Sequence, residues 1–115
     1  MEEKLTSPRI NKNAYVRARI IETLDDLDVA INMWLAGRSR NAAGKAFSAV
    51  KALLSALVTK NLDKLANSND KKGYSALTHA LKGISIDLTK LGYLDVETIV
   101  NVALLLHDYQ YNGFD

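Results

Sequence analysis

Residues 40–58, RNAAGKAFSAVKALLSALV, limit what this chain can become more than any other stretch. Alanine, leucine and lysine dominate it and proline is absent, so helix is the favoured local conformation. Ala43, Ala46, Phe47, Val50, Leu53, Leu54, Leu57 and Val58 recur at three- and four-residue steps and make one broad apolar stripe. Gly44, Ser48, Lys51, Ser55 and Thr59 make a polar stripe on another side. Between them runs a row of small side chains, Ala42, Ala49, Ala52 and Ala56, broken by Lys45. Small residues let a second backbone come close, so the pattern predicts a central helix touched by neighbours on two sides.

The flanks supply those neighbours. Residues 1–11 contain the sole proline, Pro8, and little periodicity, so an N-terminal arm is expected there, with 12–115 as a single helical domain. Asn11 or Asn13 can cap a first helix running to about Ala36. In it Val16, Ile20, Leu24, Leu27, Ile31, Trp34 and Leu35 repeat at helical spacing and are expected to face the core. Gly37 is placed to end this helix, and a turn at Arg38 and Ser39 makes the first two helices antiparallel neighbours. After the polar loop at 67–73, helical spacing resumes over 74–91 through Leu77, Leu81, Ile84 and Leu88, and Gly92 closes it. Asp95 can cap a last helix, with Glu97 in its first turn. That helix is apolar on nearly every side and is expected to be the most buried. The fold class that follows is all-α, an antiparallel four-helix up-and-down bundle.

Composition narrows the function classes. A chain of 115 residues buries roughly two thirds of its surface on folding, enough for a core without metals or disulfides. There is no cysteine, hence no thiol nucleophile and no thiolate metal site. Fifteen basic residues against thirteen acidic leave +2, short of the dense positive patch of a committed nucleic-acid binder. The first residues lack a signal-peptide core, and the longest apolar run, 102–106, is too short to span a bilayer. The expectation is a soluble cytoplasmic protein with no membrane partner.

Two stretches carry a resemblance. Residues 35–57, LAGRSRNAAGKAFSAVKALLSAL, and 103–114, ALLLHDYQYNGF, resemble the HEPN superfamily of small helical domains. More closely, they are similar to its archaeal paralogous-repeat branch, the PaREP-type proteins. In that family a long first helix ends in a small-residue turn before an alanine-rich helix, and a leucine–histidine pair precedes clustered aromatics at the end. The resemblance implies an HEPN-like bundle that pairs with itself. Many HEPN members cut RNA with an arginine and a histidine separated by four to six residues, and this chain departs from that pattern. Its histidines are His79 and His107; no basic residue fills the window before His107, and only Lys72 stands at the edge of the window before His79. Lysine lacks the planar fork with which arginine grips a phosphate. The function so implied is a non-catalytic interaction or regulatory module acting as a homodimer. A divergent ribonuclease using His79 and Lys72 is the alternative.

Candidate site residues follow from chemistry. Arg38, Arg40, Asn41 and Lys45 gather at the start of the central helix, where free backbone amides favour an anion such as phosphate. The competing account is solvated charge and ion pairs to acids of the first helix, with Asn41 as a cap. His79 reads first as an ordinary helix histidine and second as a general base. His107 reads as a buried histidine satisfied by a backbone or tyrosine oxygen. Leu105, His107, Tyr109, Tyr111 and Phe114 form an aromatic-rich end expected at a homodimer interface, with folding back of the aromatics over the bundle as an equal account and base stacking as a third use. Lys60, Lys64, Lys71 and Lys72 alternate with Asp63 and Asp70, the signature of a solvated surface. Glu22, Asp25, Asp26 and Asp28 form a polar helix face without the Glu-x-x-His pair of a di-iron bundle, so no metal and no cofactor is expected. The partners expected are a second copy and an unidentified protein, with RNA or a nucleotide as a candidate ligand.

Overall fold

The computed structural model describes residues 11–64 and 81–112. Four α-helices fall within them: α1 (Lys12–Leu35), α2 (Ser39–Lys60), α3 (Leu81–Lys90) and α4 (Val96–Asn112). A 3-10 turn, Leu62–Lys64, follows α2, and no strand occurs among the described residues. Lys72, His79, Phe114, most of the N-terminal arm and residues 74–80 of the expected third helix lie outside them.

Local chemistry sets the ends. Of the two cap candidates, Asn11 is the one used: its side-chain oxygen accepts the Ala14 N–H at 3.0 Å. At the other end of α1 Gly37 takes φ +81°, and Arg38 N–H returns to the Met33 carbonyl at 2.9 Å. This left-handed closure satisfies carbonyls that the helix would leave open. α2 opens differently, with Arg38 as its N-cap and no side-chain bond there; Asn41 lies inside the first turn, so it is not the cap.

The core belongs to α2, α3 and α4. Phe47, Leu54 and Val58 from α2 meet Leu81, Ile84 and Leu88 from α3 and Val96, Val100 and Ala103 from α4. Asn61 ties the end of α2 to the turn before α4, donating to the Leu57 carbonyl and the Tyr93 hydroxyl. α2 has the length and hydropathy of a membrane-crossing helix, but over half of that window is buried within the fold.

The other side of α2 takes α1, through a seam of small and polar groups. Tyr15 and Ser55 share a buried hydrogen bond of 2.9 Å, and Ser48 donates to Asp26 at 2.9 Å, with Lys45 3.8 Å from the same carboxylate. Helical spacing puts Ala52 and Ala56 on this side as well, and both are buried. α1 answers with Tyr15, Ala18, Thr23 and Ala30, its buried residues. Two neighbours on two sides of α2 were expected. The polar stripe carrying Ser48 and Ser55 is part of the contact with α1.

Three corrections follow. The apolar stripe of α1 does not face the core: Ile20, Leu24, Leu27, Ile31, Trp34 and Leu35 are exposed, Trp34 at 65% and Leu35 at 77%. The apolar face of α2 is already covered by α3 and α4, so α1 docks by its small residues and turns its large ones outward. Nor is α4 the most buried helix. Val96, Val100 and Ala103 face the core while Ile99, Val102 and Leu105 lie on the outside, because α2 and α3 cover α4 on one side only. Finally, α2 and α4 would run parallel in an up-and-down order of four helices. Here Ser39 meets Tyr109 at one end and Asn61 meets Tyr93 at the other, so the two run in opposite directions.

Candidate functional site

Because α1 and α4 both lean on α2, a hollow opens on each side of the first half of α2. The larger is an apolar groove of about 550 Å³. Ala42, Ala43 and Ala46 form its floor; Leu27, Ala30, Ile31 and Trp34 of α1 form one wall, and Leu106 and Tyr109 of α4 the other. Alanine makes the floor shallow enough to admit a large side chain. At one end Ser39 Oγ and the Tyr109 hydroxyl lie 2.9 Å apart, each bonded to the other. The lining therefore can exclude water around an apolar group but brings no acid–base pair together.

The smaller hollow, about 300 Å³, is polar and lined by Met33, Asn41, Gly44, Lys45, Ser48 and Gln110. Gly44 permits it: a Cβ there would stand 2.5 Å from Gln110 Nε2. The structure thus divides the candidate anion site. Asn41 and Lys45 share this hollow, with Lys45 directed to Asp26. Arg38 and Arg40 stay exposed at the start of α2, and Arg40 Nε donates to the Tyr109 carbonyl at 3.3 Å.

The aromatic end is also divided. His107 is half-buried, stacked on Phe47 with centroids 4.4 Å apart and edge-on to Tyr111 at 5.1 Å. Its buried Nδ1 has no hydrogen-bond partner, which corrects the expectation of a satisfied histidine. Tyr111 presents its ring to the imidazole, and the ring stack holds His107 in place. Tyr109 is turned into the groove wall, while Leu105 and Tyr111 are exposed at 60% and 66%.

Charge on α1 is organised locally. Arg19 bonds the Tyr15 hydroxyl at 3.1 Å, lies over that ring and pairs with Glu22. Burial opposes its charge, but the bonds to Tyr15 and Glu22 outweigh that, so its pKa stands above the ordinary arginine value. No group of three or more His, Asp or Glu that could hold a metal ion occurs among the described residues.

Sequence reasoning missed the groove. Leu27, Ile31 and Trp34 were expected in the core, and Ser39 and Gln110 were not singled out. The available signal was the second face of α1, where Tyr15, Ala18, Thr23 and Ala30 match the small-residue row of α2.

Together these features define a small all-α helical bundle that carries an apolar groove among its described residues. The model of the archaeal PaREP1/PaREP8 family matches residues 18–115, and the chain belongs to that family. No curated protein and no solved structure matches it.

Proposed function

We propose that this protein is a helical interaction or regulatory module of HEPN-like type, working through association rather than bond cleavage. The observation that carries this reading is the outward stripe of α1 beside the groove. Leu24 and Ile31 are more than half exposed, and the hydroxyls at the groove end are already bonded to each other. Apolar area in water costs roughly 25 cal/mol per Å², so a surface of this kind favours a covering partner. A polar substrate would find few free donors in the groove. The opposed directions of α1 and α2, and of α2 and α4, support the antiparallel part of an HEPN-like bundle. Homodimerisation and a cytoplasmic location belong to the same proposal.

A second reading, RNA or nucleotide binding, is favoured by Arg38 and Arg40. Both are exposed at the start of α2, where no side chain caps the free amides. Incubation of the purified chain with mixed RNA, at low and raised salt, tests both. We expect no cleavage. Cleavage that disappears in His79→Ala would overturn the interaction reading and favour a divergent ribonuclease built on Lys72 and His79. Salt-sensitive binding without cleavage, weakened in Arg38→Ala/Arg40→Ala, would support the second reading.

A further inference from the structure

We propose that the outward face of α1 is covered by a second copy of this chain, the two α1 helices packing antiparallel about a two-fold axis between Leu24 and Leu27. This pairing rests on the reading of that face as an interaction surface, and it names the partner. Its first ground is spacing. Ile20, Leu24, Leu27, Ile31 and Trp34 are all exposed and follow one another at steps of four, three, four and three. That alternation is the seam of a two-helix coiled coil, so the surface fits another helix along its length. Extending the seam one step toward the N-terminus reaches Arg17, which is also exposed.

The make-up of the seam points to its own copy and sets the direction. In a parallel pair each seam residue meets its own copy, so Arg17 would face Arg17 between the helices. In an antiparallel pair Leu24 lies opposite Leu27 of the second copy and Ile20 opposite its Ile31. Arg17 then lies opposite Trp34 of the second copy, where a guanidinium over an indole is favourable. Every seam position is filled in this one register. The acids of α1 stay out of the seam: in this register residues 22–28 of one copy lie beside 23–29 of the other, and Glu22 and Asp26 are held by Arg19, Ser48 and Lys45 of their own chain.

Area is sufficient. The exposed parts of the stripe, Leu35 included, amount to roughly 600 Å², close to the roughly 800 Å² per partner of a standard interface once flanking side chains are added.

Light scattering on the full chain at tens of micromolar should give twice 12.7 kDa. Leu24→Glu/Ile31→Glu should give a single-chain mass with unchanged helix content, since both sites are exposed in the protomer. Trp34, the sole tryptophan, should shift its emission to the red in that variant. Orientation is read by cross-linking, because the chain contains no native cysteine. Ile20→Cys mixed with Ile31→Cys should cross-link on mild oxidation, and neither should do so alone, being about 16 Å apart along the helix. A single-chain mass for the wild type overturns the pairing, whatever else covers the face. A dimer that survives Leu24→Glu/Ile31→Glu but is lost in Leu105→Glu/Tyr111→Ala moves the seam to α4 and overturns it as well. Cross-linking of Ile20→Cys with itself overturns the antiparallel order. None of these outcomes bears on RNA cleavage, whose dependence on His79 is what would sink the interaction reading.

Discussion

Removing one oxygen from Tyr15 should loosen α1 from α2 by an amount set by its contacts. In Tyr15→Phe the ring remains in a site that is 3% exposed, so no cavity forms. The lost hydroxyl bonds Ser55 Oγ at 2.9 Å and Arg19 Nε at 3.1 Å among the described residues. Ser55 is 1% exposed and cannot turn to water, but a helical serine can bond the carbonyl four residues back. Arg19 keeps Glu22. The net loss is then one buried hydrogen bond and part of a charge-assisted one, about 1.5–2 kcal/mol. Ser55→Ala should cost about 1 kcal/mol, and the double variant about 2, leaving a coupling of about 0.5–1 kcal/mol. Urea unfolding followed by circular dichroism, at one fixed protein concentration, measures all three. A coupling below about 0.3 kcal/mol would mean that α1 is not seated through Tyr15. The outward direction of its apolar stripe would then lose its ground.

Leu54→Ala, at a fully buried core position, should cost about 2–5 kcal/mol, whereas Leu94→Ala, at a position 76% exposed, should stay within about 0.5 kcal/mol; denaturant midpoints separate them. Gly44→Ala should be near neutral in thermal melts, since its gain in helix propensity is offset by pushing aside Gln110. In a Gln110→Ala background the same change should stabilise by about 1 kcal/mol, with a correspondingly higher Tm. His107→Phe should raise Tm, by about 1 kcal/mol of stability, because it replaces a buried unbonded nitrogen while keeping the stack on Phe47.

The parts of the fold legible in the sequence are those where one face has one use. Residues 81–91 behave so: Leu81, Ile84 and Leu88 repeat at helical spacing, and all three are buried. The turns at Gly37 and Gly92 were legible too, since a positive φ suits glycine and both residues adopt one. α2 announced two neighbours through its alanine row, and it has them. What could not be read was which face each neighbour offers. In α1 the large apolar stripe and the small-residue face both repeat at helical spacing, and periodicity carries no sign of which one docks. The groove inherits that ambiguity, because its α1 wall consists of residues whose direction depended on the choice. The division of Arg38 and Arg40 from Asn41 and Lys45 was closed to sequence for a related reason. Four polar residues within about two turns of helix point around most of its circumference.

The direction of α1 follows from competition for a single helix. The apolar stripe of α2 can bury against one layer, and Leu81, Ile84, Leu88, Val96 and Val100 occupy it. For α1 the surface left over is alanine and serine, and the gain there comes from close approach. A stripe of leucine and isoleucine pressed onto that surface would hold the backbones apart and strand the Ser48 and Ser55 hydroxyls between apolar walls. Leaving a buried hydroxyl unbonded costs about 1–3 kcal/mol, and here there would be two. Docking by Tyr15, Ala18 and Ala30 pairs Ser55 with Tyr15 and Ser48 with Asp26 at no such cost. Its consequence is a row of large side chains left in water. The chain thus carries more apolar stripes than its own core absorbs, and on α1 the surplus lies in one line. Surplus scattered over the surface would be ordinary. Surplus at alternating steps of three and four is the pattern of a helix that meets another helix.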